Sequence, residues 1–221
     1  GFSGAAAMAS RSALRVGAGL VRLAGPRSII DALEARLLEV VKVPLEETAS
    51  GSIAPQAMVT LDPFLRASDV SVIGPGISTH PQTAEFVIAF LDRVASPCVI
   101  DADAINIIAQ DARILKKTKA PLILTPHPGE LARLIRTTPG AINERRIDTA
   151  AECAQKFNCV LVLKGAPTVI ADARGNTYVN PTGNSGLATA GSGDVLTGMI
   201  AGLLAQKQSP LHAAPTGVFP H

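Results

Sequence analysis

Short apolar runs alternate with helix-patterned runs along almost the whole chain, and no other feature restricts its fold as strongly. Strand-like runs fall at 20–23, 40–43, 70–73, 98–100, 122–124 and 160–163. Helical patterns fall at 5–16, 55–66, 82–94, 105–109, 129–135, 142–157 and 195–204. In 82–94, Phe86, Val87, Phe90, Leu91 and Val94 recur near helical spacing. Pro63 is expected to end or kink the 55–66 helix early. Residues 168–171 and 177–179 flank Ala173-Arg-Gly-Asn176 and predict a hairpin. Such alternation predicts an α/β fold with a mostly parallel, doubly wound sheet and one late antiparallel pair. The chain is 47% hydrophobic, only 3% aromatic and without tryptophan, so its core must be built from Val, Ile, Leu and Ala. That suits a sheet covered by helices on both faces, a three-layer α/β/α arrangement. At 221 residues, a single domain over 1–221 is expected.

Composition also excludes classes of function. The formal charge is +2, and the basic residues form only short pairs such as Lys116-Lys117 and Arg145-Arg146. These pairs read as solvated helix faces, and no nucleic-acid partner is expected without a concentrated basic stripe. Cys98, Cys153 and Cys159 are odd in number and lack metal-ligand spacing; Cys98 and Cys159 sit in apolar strand-like runs, so these two read as small buried thiols in a reducing compartment. No apolar run approaches membrane-spanning length, and Gly1-Phe-Ser-Gly4 carries no targeting signature, so a cytoplasmic location is expected.

The most chemically suggestive stretch is Asn184-Ser-Gly-Leu-Ala-Thr-Ala-Gly-Ser-Gly-Asp-Val-Leu-Thr-Gly198. A glycine-rich loop opening a helix aims backbone N–H groups at one spot, and the helix dipole adds positive potential there. That spot suits a phosphate, with the Ser192 and Gly193 N–H groups as candidate donors. Asp194 could act as a base on a substrate hydroxyl, or it could only cap the helix.

Other segments fall just after predicted strands, where sites in such sheets lie. Gly74-Pro-Gly76 either admits a ligand close to the backbone or is a plain turn. Asp101 directly follows a strand, a position from which carboxylates hold Mg²⁺ or orient a hydroxyl, whereas Asp103 is expected to cap the helix at Ala104. His127 is held between two prolines beyond a strand, and Glu130 enters the next helix. Lys164 either reaches a phosphate or is an exposed strand-end lysine.

Five ordered blocks together resemble the NAD(P)H-hydrate dehydratases of the ribokinase-like superfamily. They are Gly4-Ala-Ala-Ala-Met8 with Gly17-Ala-Gly-Leu20, Ile73-Gly-Pro-Gly76, Thr125-Pro-His-Pro-Gly-Glu130, Lys164-Gly-Ala-Pro-Thr168, and Asn180-Pro-Thr-Gly-Asn184 running on to Gln206. The resemblance implies a ribokinase-like fold and nucleotide-dependent dehydration of hydrated NADH or NADPH (NADHX, NADPHX). By the same resemblance, Ala5, Gly76, His127 and Asp194 contact that substrate. Lys164, Gly165, Ala166, Pro167, Thr168 and Gly193 bind ADP or ATP. Asn184, Glu130 and Asp101 support the site, and Mg²⁺ accompanies the phosphates without an assigned ligand set. The family also implies a homotetramer, collaboration with an epimerase, a strand before Gly1 and further helix after His221. A chain lacking those ends is expected to be less stable and more aggregation-prone than a longer version. The competing readings are a small-molecule kinase of the same superfamily, acting on a hydroxymethylpyrimidine or thiazole alcohol, and a non-catalytic nucleotide-binding fragment.

Overall fold

A computed structural model describes residues 3–221. Helix α1 (Ser3–Val16) comes first, then strand β1 (Arg22–Pro26), helix α2 (Arg27–Leu33) and strand β2 (Val41–Leu45). β1 and β2 pair in parallel, Arg22 opposite Val41 and Pro26 opposite Leu45, as a sheet of two strands. This departs from the expectation of one continuous sheet. The strands also start later than the apolar runs at 20–23 and 40–43 suggest, because pairing and not hydrophobicity sets their limits. Leu20 is left exposed, while Gly25 and Pro26 join the ladder.

Helix α3 (Ala57–Arg66) runs through Pro63 instead of ending there. Pro63 and Val59, one turn earlier, are both exposed, so the carbonyl that loses its partner faces water. The chain then alternates: β3 (Ser71–Ile73), α4 (Pro81–Arg93), β4 (Cys98–Ile100), α5 (Ala102–Ile108), α6 (Arg113–Lys117), β5 (Leu122–Leu124). Next come α7 (Pro128–Ile135), α8 (Pro139–Glu144) and α9 (Arg146–Phe157). The single helix expected over 142–157 is broken at Arg145, whose φ of −132° and ψ of 45° are not helical. Strands β6 (Val160–Leu163), β7 (Thr168–Ala171) and β8 (Thr177–Asn180) follow. A 3₁₀ turn at Ser185–Leu187, α10 (Ser192–Ala205) and α11 (Pro210–Val218) complete the chain.

The main sheet has the order β3-β4-β5-β6-β7-β8, parallel up to β6 and antiparallel beyond it. Successive strand residues point to opposite faces, and the packing follows that period. Cys98, Ile100, Leu122, Leu124, Leu161 and Leu163 enter one core with α3, α4, α5, α7 and α9. Val99, Ile123, Val160, Val162 and Ile170 enter the other with α10 and α11. The three layers expected from composition are therefore present. Helix α1 lies across α10, where Gly198 and Gly202 let the backbones meet. A Cβ at Gly198 would overlap Ser12 Oγ and the Ala9 carbonyl, and one at Gly202 would lie 2.7 Å from the Ala13 carbonyl.

Candidate active site

Four parallel strands end on one side of the sheet, and each hands the chain to a segment that meets its neighbour's. After β3, Gly74 has a φ of +127°, and a Cβ there would overlap the Asp101 carbonyl. Only glycine lets the exit of β3 pass this close to the exit of β4. The Asp101 N–H donates to Ile73 O at 3.1 Å, the Thr125 N–H to Ile100 O at 3.1 Å, and the Lys164 N–H to Pro126 O at 2.9 Å. Each exit is thus tied to the preceding one beyond the last ladder bond.

Asp101 is the junction of the side chains. It is 1% exposed. Its Oδ1 accepts from Lys164 Nζ at 2.8 Å, and its Oδ2 accepts from Thr197 Oγ1 at 2.8 Å. One carboxylate therefore joins β4, β6 and the first turns of α10. Lys164 Nζ also lies 3.8 Å from Glu130 Oε2, and a Cβ on Gly193 would sit 3.3 Å from it. Lys164 is not the exposed strand-end lysine of the alternative reading. Its ammonium is aimed at the N-terminus of α10.

Glu130 and His127 form a reciprocal cap on α7. His127 Nδ1 accepts from the Gly129 N–H at 3.0 Å and the Glu130 N–H at 3.4 Å, while Glu130 Oε2 accepts from the His127 N–H at 2.8 Å. With Nδ1 accepting, the ring proton sits on Nε2, which lies 3.4 Å from Glu130 Oε1. The ring remains half-exposed.

The glycine-rich loop meets this cluster at α10. Asp194 lies in the first turn of that helix, and Gly191, not Asp194, occupies the capping position. Among the described residues no donor holds the Asp194 carboxylate. Partial burial pushes its pKa up, as does the charge of Asp101, while Lys164 opposes the shift; Asp103 and Glu130 reinforce the rise. The Ser192 N–H, expected to face a phosphoryl group, instead turns back to Thr189 O at 3.4 Å. Among the described residues the Gly193 N–H has no protein acceptor, so that donor is left facing the cleft.

The remaining expected residues make contacts of their own. Met8 packs against Gly191, and Ala5 lies on the same side of α1, one turn nearer the N-terminus, and is buried. Gly76 lines a small hollow of about 40 Å³ shared with Ser3, Ala6, Leu23, Pro26 and Ile30. Asn184 caps the 3₁₀ turn, its side chain accepting from the Gly186 N–H at 2.8 Å. Thr168 Oγ1 donates to Gly165 O at 3.0 Å across the loop that also holds Ala166 and Pro167. Asp103 does not cap α5, which begins one residue before it; the carboxylate accepts from the Ser78 N–H at 2.9 Å.

Residues 1–221 match the family model described as NAD(P)H-hydrate dehydratase. The chain belongs to this family. As a member it is 48% identical over 221 residues to the bifunctional NAD(P)H-hydrate repair enzyme of Moorella thermoacetica, all of this chain aligning with 42% of that protein. It therefore spans about two fifths of the bifunctional relatives it matches. It is 35% identical to the ADP-dependent (S)-NAD(P)H-hydrate dehydratase of Xanthomonas campestris, over 99% of this chain and 73% of that one. Among solved structures, the ADP/ATP-dependent NAD(P)H-hydrate dehydratase of Bacillus subtilis, co-crystallised with ATP and Mg²⁺ and soaked with CoA, superposes with a TM-score of 0.78. The match is 30% identical and covers 98% of this chain and 75% of that one. The expected ribokinase-like α/β fold is borne out by these neighbours.

Two residues of this family member's site escape a reading of the sequence. Thr197 stands one helical turn beyond Asp194, a spacing that places both on one face, but it reads as an ordinary helix residue. Arg146 reads as half of a solvated pair, yet its guanidinium is folded under the Lys164–Thr168 loop, donating to Leu163 O, Lys164 O and Pro167 O. Only the tertiary arrangement separates it from Arg145, which reaches the exposed Asp148 and Glu152.

Proposed function

We propose that this chain is the dehydratase unit that returns hydrated NADH and NADPH to their active forms at the expense of ADP or ATP. The observation that carries the reading is Asp194. It is a partly buried, undonated carboxylate with a raised pKa, in the first turn of α10 and close to the ammonium of Lys164. Such a group is a base held ready beside an anion-binding helix end.

In the proposed reaction Asp194 takes the proton of the substrate's C6 hydroxyl. The oxygen attacks the β-phosphorus of ADP or the γ-phosphorus of ATP, and AMP or ADP leaves. The ring nitrogen lone pair then expels phosphate from C6, and loss of a C5 proton restores the ring double bond. The Lys164 ammonium and the Gly193 N–H offset the charge on the transferring group. Gly165, Ala166, Pro167 and Thr168 carry the nucleotide, while Ala5, Gly76 and His127 line the side from which the hydrated ring approaches.

Asp101, Asp103, Glu130 and Asp194 outnumber the single ammonium of Lys164, so an anionic nucleotide needs a cation with it. Among the described residues no three or more metal-binding side chains converge. That donor set fits Mg²⁺ carried on the phosphates and met by a single carboxylate, which Glu130 would supply, while Asp101, its oxygens held by Lys164 and Thr197, would act only through those partners. Bound there, the ion would neutralise phosphate charge. The 221 residues act as one domain that works beside an epimerase and assembles as a homo-oligomer. Among the described residues no helix is long and apolar enough to cross a membrane, which is consistent with a cytoplasmic enzyme.

The test is the recovery of NADH absorbance from NADHX with Mg²⁺ and either ADP, ATP or no nucleotide. Recovery that needs a nucleotide is expected, with Asp194→Asn slower by about 10²–10⁴-fold. Binding of ADP without any recovery of NADH, together with phosphorylation of an unrelated alcohol, would instead establish the small-molecule kinase.

A further inference from the structure

Arg146 carries more acceptors than any other cation near the cleft. Its guanidinium lies 2.7 Å from Asn143 Oδ1, 3.2 Å from Leu163 O, 3.0 Å from Lys164 O and 2.9 Å from Pro167 O. Gly165, between these carbonyls, has a φ of +144°, and a Cβ there would lie 2.6 Å from Nη2. The guanidinium therefore fills the hollow of the loop.

The direction of these carbonyls determines the direction of the amides. A trans peptide points its C=O and the following N–H to opposite sides. Leu163 O faces Arg146, so the Lys164 N–H faces away, and it donates to Pro126 O on the exit of β5. Lys164 O also faces Arg146, which turns the Gly165 N–H away from the guanidinium. Among the described residues nothing accepts from that N–H.

We propose that Arg146 is the positioning residue of the nucleotide loop: it draws three carbonyls to one face and so presents the Gly165 N–H to a nucleotide phosphate on the other. The inference rests on reading Lys164–Thr168 as the nucleotide segment. Lysine cannot replace the arginine, because a point charge lacks the planar fork that serves several carbonyls at once.

The test is calorimetric binding of ADP to the full chain and to Arg146→Lys, Arg146→Ala and Lys164→Ala, with a melting curve for each. Both Arg146 variants are expected to bind ADP roughly tenfold more weakly, the effect of losing one aligned donor to a charged group. Their KM for NADHX should not change, and methylguanidinium should restore ADP affinity to Arg146→Ala. Unaltered ADP affinity in both Arg146 variants, with weakened binding in Lys164→Ala, overturns the inference and spares the nucleotide reading. Unaltered affinity in all three variants overturns both. A general loss of ADP and NADHX affinity with a lowered melting temperature and no rescue makes Arg146 merely structural, and the proposal fails.

Discussion

Asp194 pairs function with a cost in stability. Its folded pKa lies above the ordinary value of an aspartate because burial and neighbouring acids disfavour the charge. The folded state therefore binds the proton more tightly than the unfolded chain, so stability falls as pH rises from the unfolded pKa through the folded one. At neutral pH the full penalty is present. Asp194→Asn is expected to melt higher than the parent at pH 7, and to match it below about pH 3, where aspartate is protonated in both states. Differential scanning calorimetry at the two pH values checks this; equal melting temperatures at pH 7 would contradict it. The same raised pKa gives a rate limb. A base must be ionised, so kcat/KM for NADHX should rise with pH through a value above the usual carboxylate range, and that limb should vanish in the variant.

The meeting of α1 and α10 is the element-level device that holds the glycine-rich loop against the cleft. Small residues on both helices, Ala9, Ser12 and Ala13 against Gly198 and Gly202, let the backbones approach. Gly198→Ala forces an overlap with backbone and so cannot be absorbed by a side-chain rotation. Overpacking of this kind costs about 3 kcal/mol, or roughly 6–12 °C in melting temperature for a chain of this size. Gly4→Ala is the contrasting change. It lies in α1 with nothing within 4 Å of the added Cβ, and it replaces a poor helix former by the best one. It should leave the melting temperature unchanged or raise it slightly. Thermal melts of the two variants beside the parent decide the matter, and equal effects would show that the helix contact is not tight.

At the scale of the whole molecule, the core on one side of the sheet shields every thiol. Cys98, Cys153 and Cys159 are free and buried. Burial pushes the Cys153 thiol up to about 11 and the Cys159 thiol up to about 12, and raises Cys98 as well. None should react with a thiol reagent at neutral pH while folded, and all three should react in denaturant. Rapid labelling of the native chain would contradict the packing described. The strand–helix alternation, the burial of Cys98 and Cys159 and the loop ends bearing Asp101, His127, Lys164 and Asp194 were all legible in the sequence. They follow from local period, from glycine and proline punctuation, and from the rule that loops after parallel strands gather on one side. The break at Arg145, the separate β1–β2 pair, the turn of the Ser192 N–H towards Thr189 and the service of Asp103 to Ser78 were not legible. Each is decided by partners distant in the chain or by backbone torsions that side-chain pattern does not encode. The clearest case is the Arg145-Arg146 pair. Two identical side chains, one residue apart, were equivalent as sequence. Only the packing of α9 beside the exit of β6 sent one to solvent and folded the other under the loop, because the carbonyls it serves come from Leu163, Lys164 and Pro167.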